Sequence, residues 1–299
     1  MKQLQQPNPP TVERLKKRSV WGEVWHRLKQ NKLSMVCLAV LVIMIGGIIF
    51  GPLFIKYDYA TIDLTQAYQT PSAQHWMGTD DFGRDLFVRL LVGGRISLLI
   101  ALLAVVIGLV FGLILGAVCG YFGSYADATI MRVMDVIMAI PGIMLAMCVS
   151  IALGSGVMNT AIALAVGTIP IITRQLRSST MLINGQEYVE AARSFGESHM
   201  KIILTHVIPN AMAPIIVQAS LYIGGGIMGI AGLSFLGLGV QPPTPEWGNI
   251  LNNGLSFIYD FSSRWHLIVF PALFIVVAEL AFNILGDGLR DAMDPRMRK

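Results

Sequence analysis

Long stretches without a charged residue are the feature that most constrains this sequence. Residues 33–55 and 97–119 contain no Asp, Glu, Lys or Arg. A helix that crosses the ~30 Å hydrocarbon core of a bilayer needs about 20 apolar residues, so each stretch is long enough to span a membrane. The whole chain of 299 residues is 54% hydrophobic and 13% charged, whereas a soluble protein has about 25% charged residues. The sequence therefore predicts an integral membrane protein.

The apolar runs predict an all-α fold, a polytopic bundle of about six transmembrane helices. The predicted spans are 33–55, 97–119, 134–153, 157–173, 212–236 and 267–289. The fourth is short and contains Gly167 and Pro170, which membrane helices tolerate where neighbours satisfy the freed backbone groups. The predicted organisation is a basic amino-terminal segment (1–32), a first transmembrane helix (33–55), an outer loop (56–96), a five-helix core (97–289) with a polar inner loop (174–211), and a tail (290–299).

Basic residues are distributed unevenly between the two sides of these spans. With both termini inside, 17 of the 22 Lys and Arg residues lie in inner segments and five lie in outer ones. Cytoplasmic loops of membrane proteins carry such an excess of basic residues. The sequence thus predicts a multi-pass membrane protein with both termini in the cytoplasm.

The basic amino-terminal segment contains an amphipathic pattern. Trp21, Val24, Trp25 and Leu28 recur at helical spacing, and basic residues lie off that face. The pattern is typical of a helix on an anionic membrane surface, and equally of a helix packed on a partner.

A second amphipathic pattern closes the outer loop. Residues 78–81 predict a turn into a helix, with Thr79 or Asp80 as the N-cap. Its apolar face contains Phe82, Leu86, Phe87, Leu90 and Leu91, and its charged face contains Arg84, Asp85 and Arg89. Gly93-Gly94 is expected to end it. We expect a separate interfacial helix on the outer surface.

The sequence lacks the motifs of an ATPase or a membrane enzyme. It contains no Gly-x-x-x-x-Gly-Lys-Ser/Thr loop and no His-Glu-x-x-His motif. Cys37, Cys119 and Cys148 share no metal-ligand spacing and are expected to be small hydrophobic residues in the spans. We therefore expect a non-enzymatic chain with no catalytic residue, no metal site and no cofactor, which draws energy from another chain or from an ion gradient.

The polar inner loop 174–211 predicts two helices. Asn184 and Glu187 have the spacing of a capping box, a short helix would cover about 186–195, and Gly196 is expected to end it in a left-handed conformation. A second helix starts near Glu197, and Pro209 precedes the fifth span. By itself this pattern fits a plain helical hairpin on the membrane face.

The same loop resembles the EAA loop of ABC importer permeases, through Glu190-Ala191-Ala192, Gly196 and Ile208-Pro209-Asn210. In that family the loop forms the coupling helix that docks on the ATPase subunit. His206 departs from the general pattern, and the His-Val-Ile-Pro-Asn variant is similar to the peptide-importer branch.

Three further stretches resemble the same branch: residues 77–98, 234–248 and 282–295. Together they resemble the C-type permease subunit of a dipeptide/oligopeptide ABC importer, with the MetI-like ABC permease fold. The resemblance implies a location in a prokaryotic cytoplasmic membrane. It also implies a second permease as heterodimer partner, two cytoplasmic ATPases that bind ATP and Mg²⁺, and an extracytoplasmic peptide-binding protein. Nickel and glutathione importers have similar permeases. A gradient-driven transporter or channel is the alternative from another class.

An acidic residue in the last predicted span and a group of glycines in the fifth suggest contacts with substrate or with neighbouring helices. Glu279 lies about mid-span, where a carboxylate normally faces protein or a wet cavity. It is a candidate for the translocation path, through the substrate amine, and pairing with a neighbouring subunit or a protonated state are alternatives. The fifth span carries Gly224, Gly225, Gly226, Gly229 and Gly232. These small residues permit close packing, either against a second permease or within the bundle.

Overall fold

The structure, a computed structural model, describes residues 20–55 and 57–293. These residues form helices and loops without any β-strand, apart from an isolated bridge between Thr79 and Asp85. In chain order the helices are α1 (Val20–Gln30), α2 (Lys32–Phe54), α3 (Leu86–Phe122), α4 (Ser124–Met138), α5 (Gly142–Leu153), α6 (Val157–Asn184), α7 (Glu187–Ser194), α8 (His199–Ile202), α9 (Ile208–Phe235), α10 (Trp247–Leu255), α11 (Phe261–Arg264) and α12 (His266–Met293). Single 3₁₀ turns cover Leu64–Gln66 and Ile258–Asp260, and a π-helical segment, Ile203–Val207, joins α8 to α9.

Five long helices are apolar enough to cross a membrane: α2, α3, α6, the continuous helical stretch His199–Phe235, and α12. The pair α4 and α5 would provide a sixth span, but the two helices meet at an angle of 91°. The all-helical, polytopic fold is therefore confirmed, with five or six spans in the described residues.

Helices α3 and α6 form the most extensive helix pair, because a row of glycines lets their backbones approach. Gly108, Gly112, Gly116 and Gly120 recur every four residues on one face of α3. A Cβ added at any of them would lie less than 3.0 Å from an atom of α6. Small residues at this spacing are the usual basis of close helix packing in membranes.

The prediction of a separate interfacial helix in the outer loop is wrong. The helix begins at Leu86, its N-cap is Asp85, whose carboxylate accepts from the Val88 amide at 2.9 Å, and it continues through Gly93-Gly94 to Phe122. These glycines do not end the helix but allow other parts of the chain to approach its backbone closely. A Cβ on Gly94 would lie 2.7 Å from the Trp247 ring and 2.8 Å from Ile48.

The charged face predicted for that helix is buried. Asp80 binds Arg84 at 2.7 Å and Arg89 at 3.2 Å, and Asp85 binds His75 at 2.8 Å. Each of these charged side chains therefore has a polar partner within residues 75–89, which compensates for its burial away from water. Burial, with a smaller contribution from Asp80, raises the pKa of the neighbouring Asp81 carboxyl.

Two predicted spans differ from the observed helices. The span predicted at 134–153 is broken at residues 139–141, where Pro141 has no amide hydrogen to continue the ladder. The span predicted at 157–173 extends through Pro170 to Asn184. Arg174 and Arg177 of this extension pair with Asp135 and Asp127 of α4. The inner loop is correspondingly shorter than the predicted 174–211.

The amino-terminal helix packs on its own chain. Val24 and Leu28 are buried against Ala292 and neighbouring residues of α12. Trp25 remains 45% exposed, with the Lys29 ammonium 5.2 Å from its ring centroid. The side chain of Trp21 lies outside the described residues. The apolar face is thus divided, and Val24 and Leu28 attach α1 to the end of the last span.

Candidate functional site

The short helix α7 lies at the end of the bundle where α3 and α6 finish and the stretch leading to α9 begins. Val189 is fully buried and Ala192 is 9% exposed. They pack in a single apolar cluster with residues from the neighbouring helices, Ala117, Tyr121, Leu176, Ile202, Ile203, Val207, Ala211 and Ile215. Val189 and Ala192 therefore place α7 in the same apolar cluster as the ends of α3 and α6 and the base of α9.

The prediction of a capping box at the start of α7 is wrong. Asn184 belongs to α6, and its side chain accepts from Arg193 at 2.8 Å instead of capping α7. Gln186 is the N-cap and makes no side-chain capping bond. The predicted left-handed glycine is confirmed, because Gly196 has φ +80°, and the second helix begins close to its predicted start, with Ser198 as N-cap.

Polar contacts attach the segment after α7 to α3 and to the π-helical segment. The Tyr121 hydroxyl is 2.8 Å from Nδ1 of His199. Glu197 binds Lys201 at 2.8 Å and lies 3.4 Å from His206. The Lys201 hydrogen bond, with a smaller contribution from His206, lowers the pKa of the Glu197 carboxyl. His206, the departure from the general EAA pattern, thus connects the loop to the base of α9.

The structure brings the predicted coupling residues to one end of the bundle but gives them different environments. Glu190, Ala191, Gly196 and Pro209 are exposed, Ile208 is half-buried and Ala192 is buried. Phe195, directly after α7, is 88% exposed. Phe is among the residue types that are enriched at protein interfaces. Phe195 is the last residue of the helix predicted over about 186–195, and no docking role was predicted for it.

Glu279 lies on α12 at the close approach between α12 and α9. A Cβ on Gly224 would lie 3.2 Å from the Glu279 carbonyl oxygen and 2.8 Å from Oδ1 of Asn283. The Glu279 side chain is half-exposed, and no basic residue within 20–55 and 57–293 lies in ion-pair distance of it. The structure does not bring Glu279 near the coupling residues.

Most of the glycines in the fifth span serve packing within the bundle. Gly224 faces α12, Gly226 lies against Ala101 of α3, and Gly229 lies against Leu164 of α6. Gly225 faces open space, with no atom within 4 Å of an added Cβ. Of the two uses predicted for these glycines, packing within the bundle therefore accounts for Gly224, Gly226 and Gly229.

Glu246 connects several helices at the end of the bundle opposite α7, a role that was not predicted from the sequence. Its carboxylate is 1% exposed and accepts from the hydroxyls of Ser97 at 2.9 Å and Ser234 at 2.7 Å. It also caps α10 by accepting from the amides of Gly248 and Asn249. The acid therefore joins α3, α9 and α10. Its position directly before Trp-Gly-Asn is the sequence feature that could have predicted an N-cap here.

In the part of the chain that the structure describes, no cluster of three or more His, Cys, Asp or Glu side chains could hold a metal ion. At the α7 end, the described residues instead present a short polar helix that packs on the bundle with one side and is exposed on the other.

Comparison with known proteins identifies the family. Residues 108–299 match the model of the binding-protein-dependent transport system inner membrane component, and residues 19–71 match the N-terminal transmembrane domain of oligopeptide transport permease C. The chain is 42% identical to the dipeptide transport system permease protein DppC of Alkalihalophilus pseudofirmus, over 98% of this chain and 96% of that one. It is 43% identical to the glutathione transport system permease protein GsiD of Escherichia coli, over 97% and 95%.

The fold has a counterpart among solved structures. An inward-facing structure of the methionine ABC transporter MetNI matches 67% of this chain and 96% of its own chain, with a TM-score of 0.52 and 18% identity. This likeness concerns the fold alone, whereas the family match covers well over half of the sequence. The chain therefore belongs to the family of inner membrane components of binding-protein-dependent transport systems, and it is a multi-pass permease component of such a system.

Proposed function

We propose that this permease forms one half of the translocation channel of an ABC importer for short peptides, beside a second, different permease. Two ATPases would bind ATP and Mg²⁺ in the cytoplasm, and this chain would hold no cofactor and no catalytic residue. A binding protein would deliver peptide from outside. The names of the dipeptide and glutathione relatives support the substrate class, since glutathione is itself a peptide.

The observation that carries the coupling mechanism is the division of α7 into a fixed side and a free side. Val189 and Ala192 anchor α7 in an apolar cluster that also contains residues of α3, α6 and the base of α9, while Glu190 and Phe195 are exposed. A partner that grips Phe195 could therefore move α7 and the helices packed on it together. Closure of an ATPase pair would be converted in this way into the alternation of an inward-open and an outward-open bundle.

The proposal fixes an orientation. The α7 end would be cytoplasmic, because cytoplasmic loops carry an excess of Lys and Arg and the predicted inner segments hold most of these residues, and both chain termini would lie on that side. The end organised by Glu246 then faces the binding protein. Glu279, between these ends and half-exposed, is assigned to the translocation path as a contact for the peptide amine.

Substitutions on the free side of α7 test the coupling. Phe195→Ala removes the exposed anchor, Glu190→Lys reverses a charge on the docking face, and Gly196→Val strains a backbone at φ +80°. Such strain costs roughly 1 kcal/mol or more. We expect membrane insertion to persist, and co-purification of the ATPases and peptide-stimulated ATP turnover to fall. Tyr125→Ala is the matched control, because Tyr125 is an 89% exposed aromatic on α4, outside α7.

Wild-type assembly and turnover in all three α7 variants would show that α7 is only a connector. Equal losses in Tyr125→Ala would show that any exposed aromatic at this end affects the complex. Uptake that responds to an ionophore, and not to inactivation of the ATPases, would favour the gradient-driven alternative.

A further inference from the structure

A polar cleft opens on the face of α9 that lies between α6 and α12, at the α7 end of the bundle. Its volume is about 470 Å³, within the ~300–1,000 Å³ typical of small-ligand sites. It is lined by residues of all three helices, Gln175, Asn210, Ala213, Pro214, Val217, Gln218, Leu221, Arg290 and Met293. Neither Glu279 nor any residue of α7 is among them, although Asn210 also closes the Ile208-Pro209-Asn210 part of the coupling loop.

The chemistry of the cleft suits a peptide backbone. Three side-chain amides line it, and each offers both donors and an acceptor, as a peptide group does. The Asn210 amide donates to the His206 carbonyl at 2.6 Å, which fixes its orientation. The remaining wall is apolar. Amides recognise backbone groups without reading side chains, so such a cleft accepts peptides of varied sequence.

Arg290 gives the cleft a single formal charge, because none of the other lining residues is ionisable. Its side chain is exposed, and no carboxylate among residues 20–55 and 57–293 lies within 4.0 Å of its guanidinium. Asp287 and Asp291, its acidic neighbours along α12, are therefore not ion-pair partners. A guanidinium binds a carboxylate with two parallel hydrogen bonds.

We propose that this cleft is an inner peptide subsite in which Arg290 receives the carboxylate terminus while Gln175, Asn210 and Gln218 bind the adjoining backbone. The inference rests on the proposed import of peptides and specifies where the substrate is held before release. Glu279 lies eleven residues earlier on α12, or about 16 Å along the helix axis.

A thiol placed in the cleft measures the charge there without any transport. Ala213→Cys is introduced beside Cys148→Ser, since Cys148 is exposed and the other two cysteines are buried. Inverted membrane vesicles that contain the whole importer are treated with an anionic or a cationic thiosulfonate reagent of similar size. We expect the anionic reagent to be favoured, and Arg290→Gln to lower the ratio of the two rates by about fivefold, as one nearby charge in a water-filled site would.

Trialanine then tests recognition of the carboxylate. Millimolar trialanine should slow modification of the cysteine by the thiosulfonate, its carboxyl-terminal amide should protect far less, and Arg290→Gln should abolish the difference. Arg290→Lys, which keeps the charge, should retain the rate ratio and much of the protection. Arg132→Gln is the matched control, because Arg132 is an exposed basic residue on α4 outside the cleft, and it should change neither measurement.

A rate ratio that does not respond to Arg290→Gln, or equal protection by the acid and the amide, overturns the assignment. These outcomes leave the proposed function standing if the wild-type importer still takes up peptides. Conversely, a charge-selective cleft in an importer that fails to take up any peptide would refute peptide import and retain the anion site.

Discussion

A methyl group added at Gly116 is expected to separate α3 from α6. The Cβ of alanine would lie 2.7 Å from the Thr173 carbonyl oxygen and 3.2 Å from the Arg177 amide nitrogen. Both are backbone atoms, so no side-chain rotation can make room, and the oxygen contact is about 0.7 Å shorter than the 3.4 Å at which ordinary contact begins. Overpacking of this kind costs about 1–3 kcal/mol. Gly116→Ala should therefore destabilise the bundle.

Gly167→Ala provides the matched control, because Gly167 lies on α6 with no atom within 4 Å of an added Cβ. Both substitutions gain the same helix propensity, so the difference between their stabilities isolates the packing cost. For domains of about 150–250 residues ~2–4 °C corresponds to 1 kcal/mol, and by that scale Gly116→Ala should have a Tm several degrees below that of Gly167→Ala. The assay heats the detergent-solubilised full chain and follows the loss of its monodisperse peak. Indistinguishable Tm values would refute the close-packing argument.

Three further predictions concern topology, energy and substrate. A cysteine at Ser72, in the exposed loop before α3, should react with an impermeant reagent added to intact cells, whereas one at Ser198 should not, and labelling at Ser198 would invert the proposed orientation. The purified chain without its partners should hydrolyse no ATP above background, and saturable turnover in a preparation free of other ATPases would contradict the absence of a phosphate-binding loop. Glu279→Gln should weaken uptake of positively charged peptides most while the complex still assembles, and equal uptake of all peptides would remove Glu279 from the path.

Local patterns in the sequence predicted the elements whose causes are local. Apolar length identified the long helices around 33–55, 97–119, 212–236 and 267–289, because spanning a bilayer depends on a continuous run of residues. The turn at Gly196 was predicted for the same reason, since a helix end in the left-handed region favours glycine wherever it occurs. The EAA resemblance located the loop that the structure places at the junction of three helices.

The errors arose where a residue's role depends on a distant partner. Gly93-Gly94 was interpreted as a helix end, although these glycines make room for residues 246–250 and for Ile48. Arg84, Asp85 and Arg89 were assigned to a solvated face, although Asp80 and His75 satisfy them inside the outer layer. Asn184 was interpreted as a cap, although Arg193 takes its oxygen. None of these contacts leaves a periodic signal in a single sequence.

The sequence by itself determined that the chain crosses a membrane several times, that the predicted inner segments hold most of the Lys and Arg residues, and that it contains no Gly-x-x-x-x-Gly-Lys-Ser/Thr loop. Only the tertiary structure decided that the glycine row of α3 packs against α6, that Glu246 joins three helices, and that Arg290 faces a cleft with three amides. The physical reason is the range of the forces. Membrane insertion follows the summed hydropathy of neighbouring residues, whereas close packing, buried ion pairs and clefts depend on atoms brought together from positions far apart in the chain.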